Sequence, residues 1–99
     1  MRVDVTQHAL DQGVAWLNQR TPDAARAHII EQMHAEGTLI WMHRHDPAQL
    51  IFHRPRFAAI CVCLGLVVKV LTVYRPDKGK ERKWARNYRC VAVLANDPS

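Results

Sequence analysis

Apolar positions in the first third of the chain recur at helical spacing, and near residue 38 the period changes to that of strands. Leu10, Val14 and Leu17 mark one face of a first helix, which Thr6 is placed to cap; Gly13 inside it weakens the helix by about 1 kcal/mol relative to Ala. The second helix is better punctuated. Thr21 is a natural N-cap, Pro22 suits the first helical position, Asp23 favours the positive helix end, and Gly37 can close the C-terminus. Ala25, Ile29 and Met33, with Ile30, make its buried stripe, leaving Arg26, Glu31 and Gln32 for solvent. Segments 38–45 and 49–54 flank Asp46-Pro47 and predict a hairpin. Segments 57–64 and 66–74 are rich in Val, Ile, Leu and Cys, and a tight turn at Leu64-Gly65 makes them antiparallel neighbours. A short last strand is expected at 90–94. The expected fold class is α+β: two N-terminal helices packed on an antiparallel sheet of about five strands, with a basic segment before the last strand.

Charge changes this picture at one place. Residues 75–90 hold Arg75, Lys78, Lys80, Arg82, Lys83, Arg86 and Arg89 against Asp77 and Glu81, a net +5 that equals the charge of the whole chain. The rest of the chain is balanced, with seven basic and seven acidic groups. Trp84 and Tyr88 lie among these cations, so the partner this segment suits has phosphates and flat rings: nucleic acid. Two conformations are open for it, a short helix over 80–89 with Lys80, Trp84 and Tyr88 on one line, or a loop broken by Pro76, Asp77 and Gly79; the helix with a broken start is preferred. In the bland alternative the segment is a solvated face whose Trp84 packs back onto the sheet.

Ninety-nine residues, 48% of them apolar, make one domain spanning 1–99. The longest apolar run, 57–68, is too short for a membrane span of about 20 residues, and the amino terminus lacks a signal-peptide apolar region. With three cysteines and no targeting segment, the expected compartment is the cytoplasm.

No cofactor or metal is expected. His43 and His45 share one face of a strand, about 7 Å apart, but the remaining ligands would have to be Cys61 and Cys63, which lie in an apolar run as inert core thiols. His28 and His34 point to different faces of a helix, and His53 stands beside Arg54 and Arg56. Ser99 is the only serine, no Gly-rich phosphate loop exists, and paired carboxylates are missing. Metal-independent RNA cleavage remains within reach, because the RNA supplies its own 2′-hydroxyl nucleophile to His, Lys, Arg and Tyr side chains. Strict alternation along the fourth strand turns Lys69 to one side and Thr72 and Tyr74 to the other.

The helix opening Thr6-Gln7-His8-Ala9 and the strand Val67-Val68-Lys69-Val70-Leu71-Thr72-Val73-Tyr74, set in this order of elements, resemble the small RelE-like and barnase-like ribonuclease toxins, most of all their phage and plasmid members. The resemblance covers residues 4–75 in outline, and the basic segment departs from it. It implies His8, Arg54, Thr72 and Tyr74 as catalytic candidates, with Arg56 and Lys69 beside the nucleic acid. The expected nucleic-acid-binding residues are then Arg56, Lys69, Arg75, Lys78, Lys80, Arg82, Lys83, Trp84, Arg86, Tyr88 and Arg89. The functional expectation is a small nucleic-acid-binding protein, RNA ahead of DNA, with ribonuclease toxin activity left open. The alternative is a phage or mobile-element inhibitor that docks its basic surface on an acidic host protein. Self-association is a further expectation, through the edge of hairpin 38–54, with Trp41 and Phe52 on one sheet face.

Overall fold

The computed structural model describes residues 2–95, so Ser99 lies outside it. The elements run β1 (Arg2–Val5), α1 (Gln7–Trp16), α2 (Pro22–His34), β2 (Leu39–His43), β3 (Gln49–Arg54), β4 (Phe57–Leu64), β5 (Val67–Tyr74), α3 (Lys78–Asn87) and β6 (Tyr88–Val93). They form an α+β domain around one six-stranded sheet of order β1-β5-β4-β3-β2-β6. All neighbours are antiparallel except β1, which runs parallel to β5. No helix among the described residues is long and apolar enough to cross a membrane.

Both N-terminal helices start where their caps direct. The Ala9 N–H donates to Thr6 Oγ1 at 3.2 Å, and the Ala24 N–H donates to Thr21 Oγ1 at 3.1 Å. The stripe Ala25, Ile29 and Met33 is buried, and it meets Ala9, Leu10 and Leu17 of the α1 region and Phe52, Phe57, Ala59, Cys61, Val68, Val70 and Val73 of the sheet. Gly13 is a point of close approach between the helices, where an added Cβ would come within 2.9 Å of Ala25 Cβ. The hairpin turns also follow their residues. Asp46 accepts from the Ala48 N–H through Oδ1, and Gly65 takes a φ of +64°, as the two-residue β4–β5 turn requires.

Four expectations are corrected. The chain begins with a strand that its four residues do not announce; β1 exists because β5 offers a parallel partner. Hairpin β2–β3 has no open edge, since β2 pairs with β6 on its other side and the outer edge belongs to β6. Trp41 and Phe52 lie on opposite faces, because Phe52 pairs with Ile40 while Trp41 pairs with Ile51. Lys69 shares a face with Thr72 and Tyr74. The ladder pairs Ile60 with Thr72 but Cys61 with Val70, leaving Leu71 as an extra residue that resets the alternation.

The basic segment forms helix α3, and it covers the sheet face that α1 and α2 leave bare. Its Trp84 packs on Ile51 and Ala58, with Trp41, Ile60, Tyr74 and Tyr88 around them. Asp77 caps the helix by accepting from the Lys80 N–H at 2.8 Å. At its other end Arg44 Nη2 donates to the Ala85 carbonyl at 3.2 Å.

Candidate nucleic-acid interface

Helix α3 is almost wholly polar, and its orientation sorts its charges. Trp84 is its one buried residue, 7% exposed. The indole Nε1–H donates to Tyr74 Oη at 2.9 Å, and the ring stands 5.0 Å from the His53 ring and 6.3 Å from that of Trp41. Trp84 is therefore an anchor and not a stacking platform: the only large apolar side chain of the helix goes to the sheet. Tyr88 is likewise half-buried at the start of β6, its hydroxyl donating to Gln49 Oε1 at 3.3 Å and its ring 5.0 Å from that of His43.

The two acidic residues of the segment are both engaged. Asp77 caps the helix, and Glu81 Oε1 turns inward to His53 Nε2 at 3.0 Å. Among the described residues the remaining ion pair is Arg2 with Asp4, so Arg75, Lys78, Lys80, Arg82, Lys83, Arg86 and Arg89 are exposed with no carboxylate partner; Arg89, opposite Met42 in the ladder, lies on the sheet face away from α3, apart from the other six.

Three concavities lie around this surface. The first, about 500 Å3, opens at the end of the sheet and is lined by His53, Arg54, Asp77, Lys78 and Glu81, among others. Most of its polar groups are occupied within the protein. Arg54 Nη1 donates to the Glu36 carbonyl at 2.7 Å and to Thr38 Oγ1 at 3.2 Å, tying the loop after α2 to the sheet. The second cleft, about 530 Å3, is lined by Gln12, Trp16, Thr72, Tyr74, Arg75 and Lys80. Lys80 Nζ stands 3.9 Å above the centre of the Tyr74 ring. Gln12 Oε1 accepts from the Thr72 hydroxyl and, at 2.9 Å, from the Val73 N–H, closing the part of the β5 edge that β1 does not reach. The third, about 260 Å3, is lined by Leu17, His28, Gln32, Arg56 and Arg75.

The expected catalytic residues are not gathered in one of these. Thr72 and Tyr74 share the second cleft, Arg54 lines the first, and His8, exposed near the start of α1, lines none of the three. Burial raises the Tyr74 hydroxyl above the ordinary phenol range, the hydrogen bond from Trp84 opposing that shift. Lys69 is exposed on the α3 face nearer the start of β5. Cys61 is sealed in the core, its thiol pushed up to about 12 by burial, and His43 and His45 lie at the far end of β2 with rings 6.0 Å apart. Among the described residues no three His, Cys, Asp or Glu side chains come together as a metal would need.

Two contributors were not legible as such. Trp16 is 61% exposed at the end of α1, on the wall of the second cleft. Its one sequence signal is an indole lying off the Leu10–Val14–Leu17 stripe. His28, a surface histidine by sequence, joins Arg56 and Arg75 around the third cavity. Set against protein-family models, curated proteins and solved structures, the chain matches none.

Proposed function

We propose that this protein binds single-stranded nucleic acid, RNA in preference to DNA, across the surface formed by α3 and the end of β5. The observation that carries the reading is the sorting of charge: Arg75, Lys78, Lys80, Arg82, Lys83 and Arg86 are exposed without a carboxylate partner among the described residues, while Asp77 and Glu81 of the same segment are engaged by the helix cap and by His53. Phosphates neutralise such a surface and release their counterions. A single strand is favoured over a duplex because Trp16 and the cleft beside it suit an unstacked base, and RNA loops and ends are the usual source of those. The activity proposed is binding. No cleavage step is assigned, since His8, Arg54, Thr72 and Tyr74 do not share a cleft.

Fluorescence polarisation with 12-nucleotide single-stranded RNA, single-stranded DNA and duplex DNA tests this. For five or six neutralised phosphates, affinity for the single strand falls roughly 100- to 300-fold between 50 and 200 mM salt. The triple variant R82A/K83A/R86A loses most of that binding and flattens the dependence. No association with any of the three probes at 50 mM salt overturns the proposal. So does recovery from cells of one stoichiometric acidic protein whose capture survives nuclease treatment, in a chain that retains no nucleic acid.

A further inference from the structure

We propose that the end of β5 carries a nucleotide subsite, in which a base stacks on Trp16 and its phosphate is held by Arg56 and Arg75. The inference rests on the single-strand reading above and names where one residue of the strand is seated. Arg75 lines both the 530 Å3 cleft and the 260 Å3 cavity, and the neighbours Trp16 and Leu17 line one each, so the two hollows lie on either side of Arg75. The larger hollow has the size of small-ligand sites. In the smaller, Arg56, Arg75 and the His28 ring make no hydrogen bond or ion pair within the described residues, and all three line the cavity. Two guanidiniums on one cavity with no carboxylate among its lining suit an anion, and their planar forks match phosphate oxygens.

The indole gives the ring specificity. At 61% exposure Trp16 leaves a large apolar face in water that burial against another flat ring would remove. Its position is fixed from below: Leu17 next to it is buried, and Gly13 one turn earlier sits tight on α2. Lys80, its ammonium 3.9 Å above the Tyr74 ring, lines the same cleft. An acidic peptide would satisfy the arginines and leave the indole bare.

The test uses the full chain and a 12-nucleotide oligouridylate labelled at its 3′ end, with W16A, W16F, R56A and R82A/K83A/R86A compared. W16A is expected to weaken binding roughly 5- to 150-fold, from a stacking contribution of about 1–3 kcal/mol per base, with the salt dependence unchanged and W16F restoring most of the affinity. R56A weakens binding and lowers the salt slope by about 0.7, one phosphate contact. Oligouridylate quenches the tryptophan emission of the native chain and not that of W16F. If W16A and R56A bind within twofold of the native chain while R82A/K83A/R86A fails, the subsite is refuted and the single-strand reading stands. If the native chain binds no oligonucleotide, both fall.

Discussion

Truncating Trp84 separates two roles that its sequence context leaves equally open. As the anchor of α3 it is 7% exposed, bounded by Ile51, Ala58, His53, Tyr74 and Trp41, with its N–H given to Tyr74 Oη. An indole buries about 150–250 Å2, worth roughly 4–6 kcal/mol at about 25 cal/mol per Å2 as an upper bound, and measured Trp-to-Ala costs run about 3–5 kcal/mol. Trp84→Ala should therefore lower the unfolding free energy by about 3–5 kcal/mol, a large share of what a domain of this size has. Trp84→Phe keeps most of the packing and removes the donor, at a cost of about 1 kcal/mol. Urea unfolding followed by circular dichroism measures both, and the phenylalanine variant stays interpretable where the alanine variant is too unstable to fold. On the binding side, Trp84→Phe should leave affinity for oligouridylate near native. A Trp84→Ala chain with native stability and a tenfold loss of binding would refute the anchor role and restore the indole to the ligand surface.

Gly13→Ala should destabilise the domain by about 1–3 kcal/mol, although helix propensity alone favours Ala by about 1 kcal/mol, because the new Cβ would lie 2.9 Å from Ala25 Cβ; thermal denaturation decides the sign. The Cys61 thiol is raised from 9.0 to about 12 in the folded chain, so between these values the folded state keeps a proton that the unfolded state loses. Stability should be intact below pH 9 and fall by up to ~1.4 kcal/mol per pH unit above it, a slope that Cys61→Ala removes between pH 9 and 10, as urea titrations under reducing conditions would report. The tyrosines Tyr74 and Tyr88, also raised, steepen the loss in the same direction above about pH 10. Arg82→Gln should raise the melting temperature at low salt while weakening nucleic-acid binding; a fall in melting temperature would count against charge repulsion within α3.

What the sequence discloses follows how local each determinant is. The second helix is legible at its start and along its buried face, because cap, first-turn proline, acidic residue and apolar stripe are all local; its end is not, since the helix stops at His34 with Ala35 extended and the positive φ of Gly37 belongs to the turn beyond. The β4–β5 hairpin is legible for the same reason, two apolar strands around one glycine. Strand β1 is not, because only its parallel partner 65 residues away makes Arg2–Val5 a strand. The bulge at Leu71 has no local mark either; it appears only where β5 must satisfy β4 on one side and Thr6 and Gln12 on the other. For the site, the cationic segment was plain in the composition. Which of its aromatics faced outward was not, since an indole at helical spacing with cations serves a core and a surface alike. Trp84 turned in and Trp16 turned out because α3 had no other apolar side chain to offer the sheet, whereas α1 already had Leu10 and the adjoining Leu17 buried.

The same helix supplies the strongest physical reason to expect an anion. Ten residues are too few to hold a helix in water without tertiary packing, and α3 has Trp84 and the Glu81–His53 contact to provide it. On the exposed side, Lys78 and Arg82, Lys80 and Lys83, Arg82 and Arg86, and Lys83 and Arg86 are like-charged neighbours three or four residues apart. At about 0.2–0.5 kcal/mol each, these pairs cost the fold roughly 1–2 kcal/mol. Glu81, three residues from Lys78, is drawn inward to His53 and relieves none of these pairs directly. A helix held by one indole, carrying repulsions that its own acidic residue is turned away from, is stabilised by whatever neutralises its outer face. Binding energy from a phosphate backbone would then appear partly as stability of α3 itself, which couples occupancy of the surface to the order of the helix that presents it.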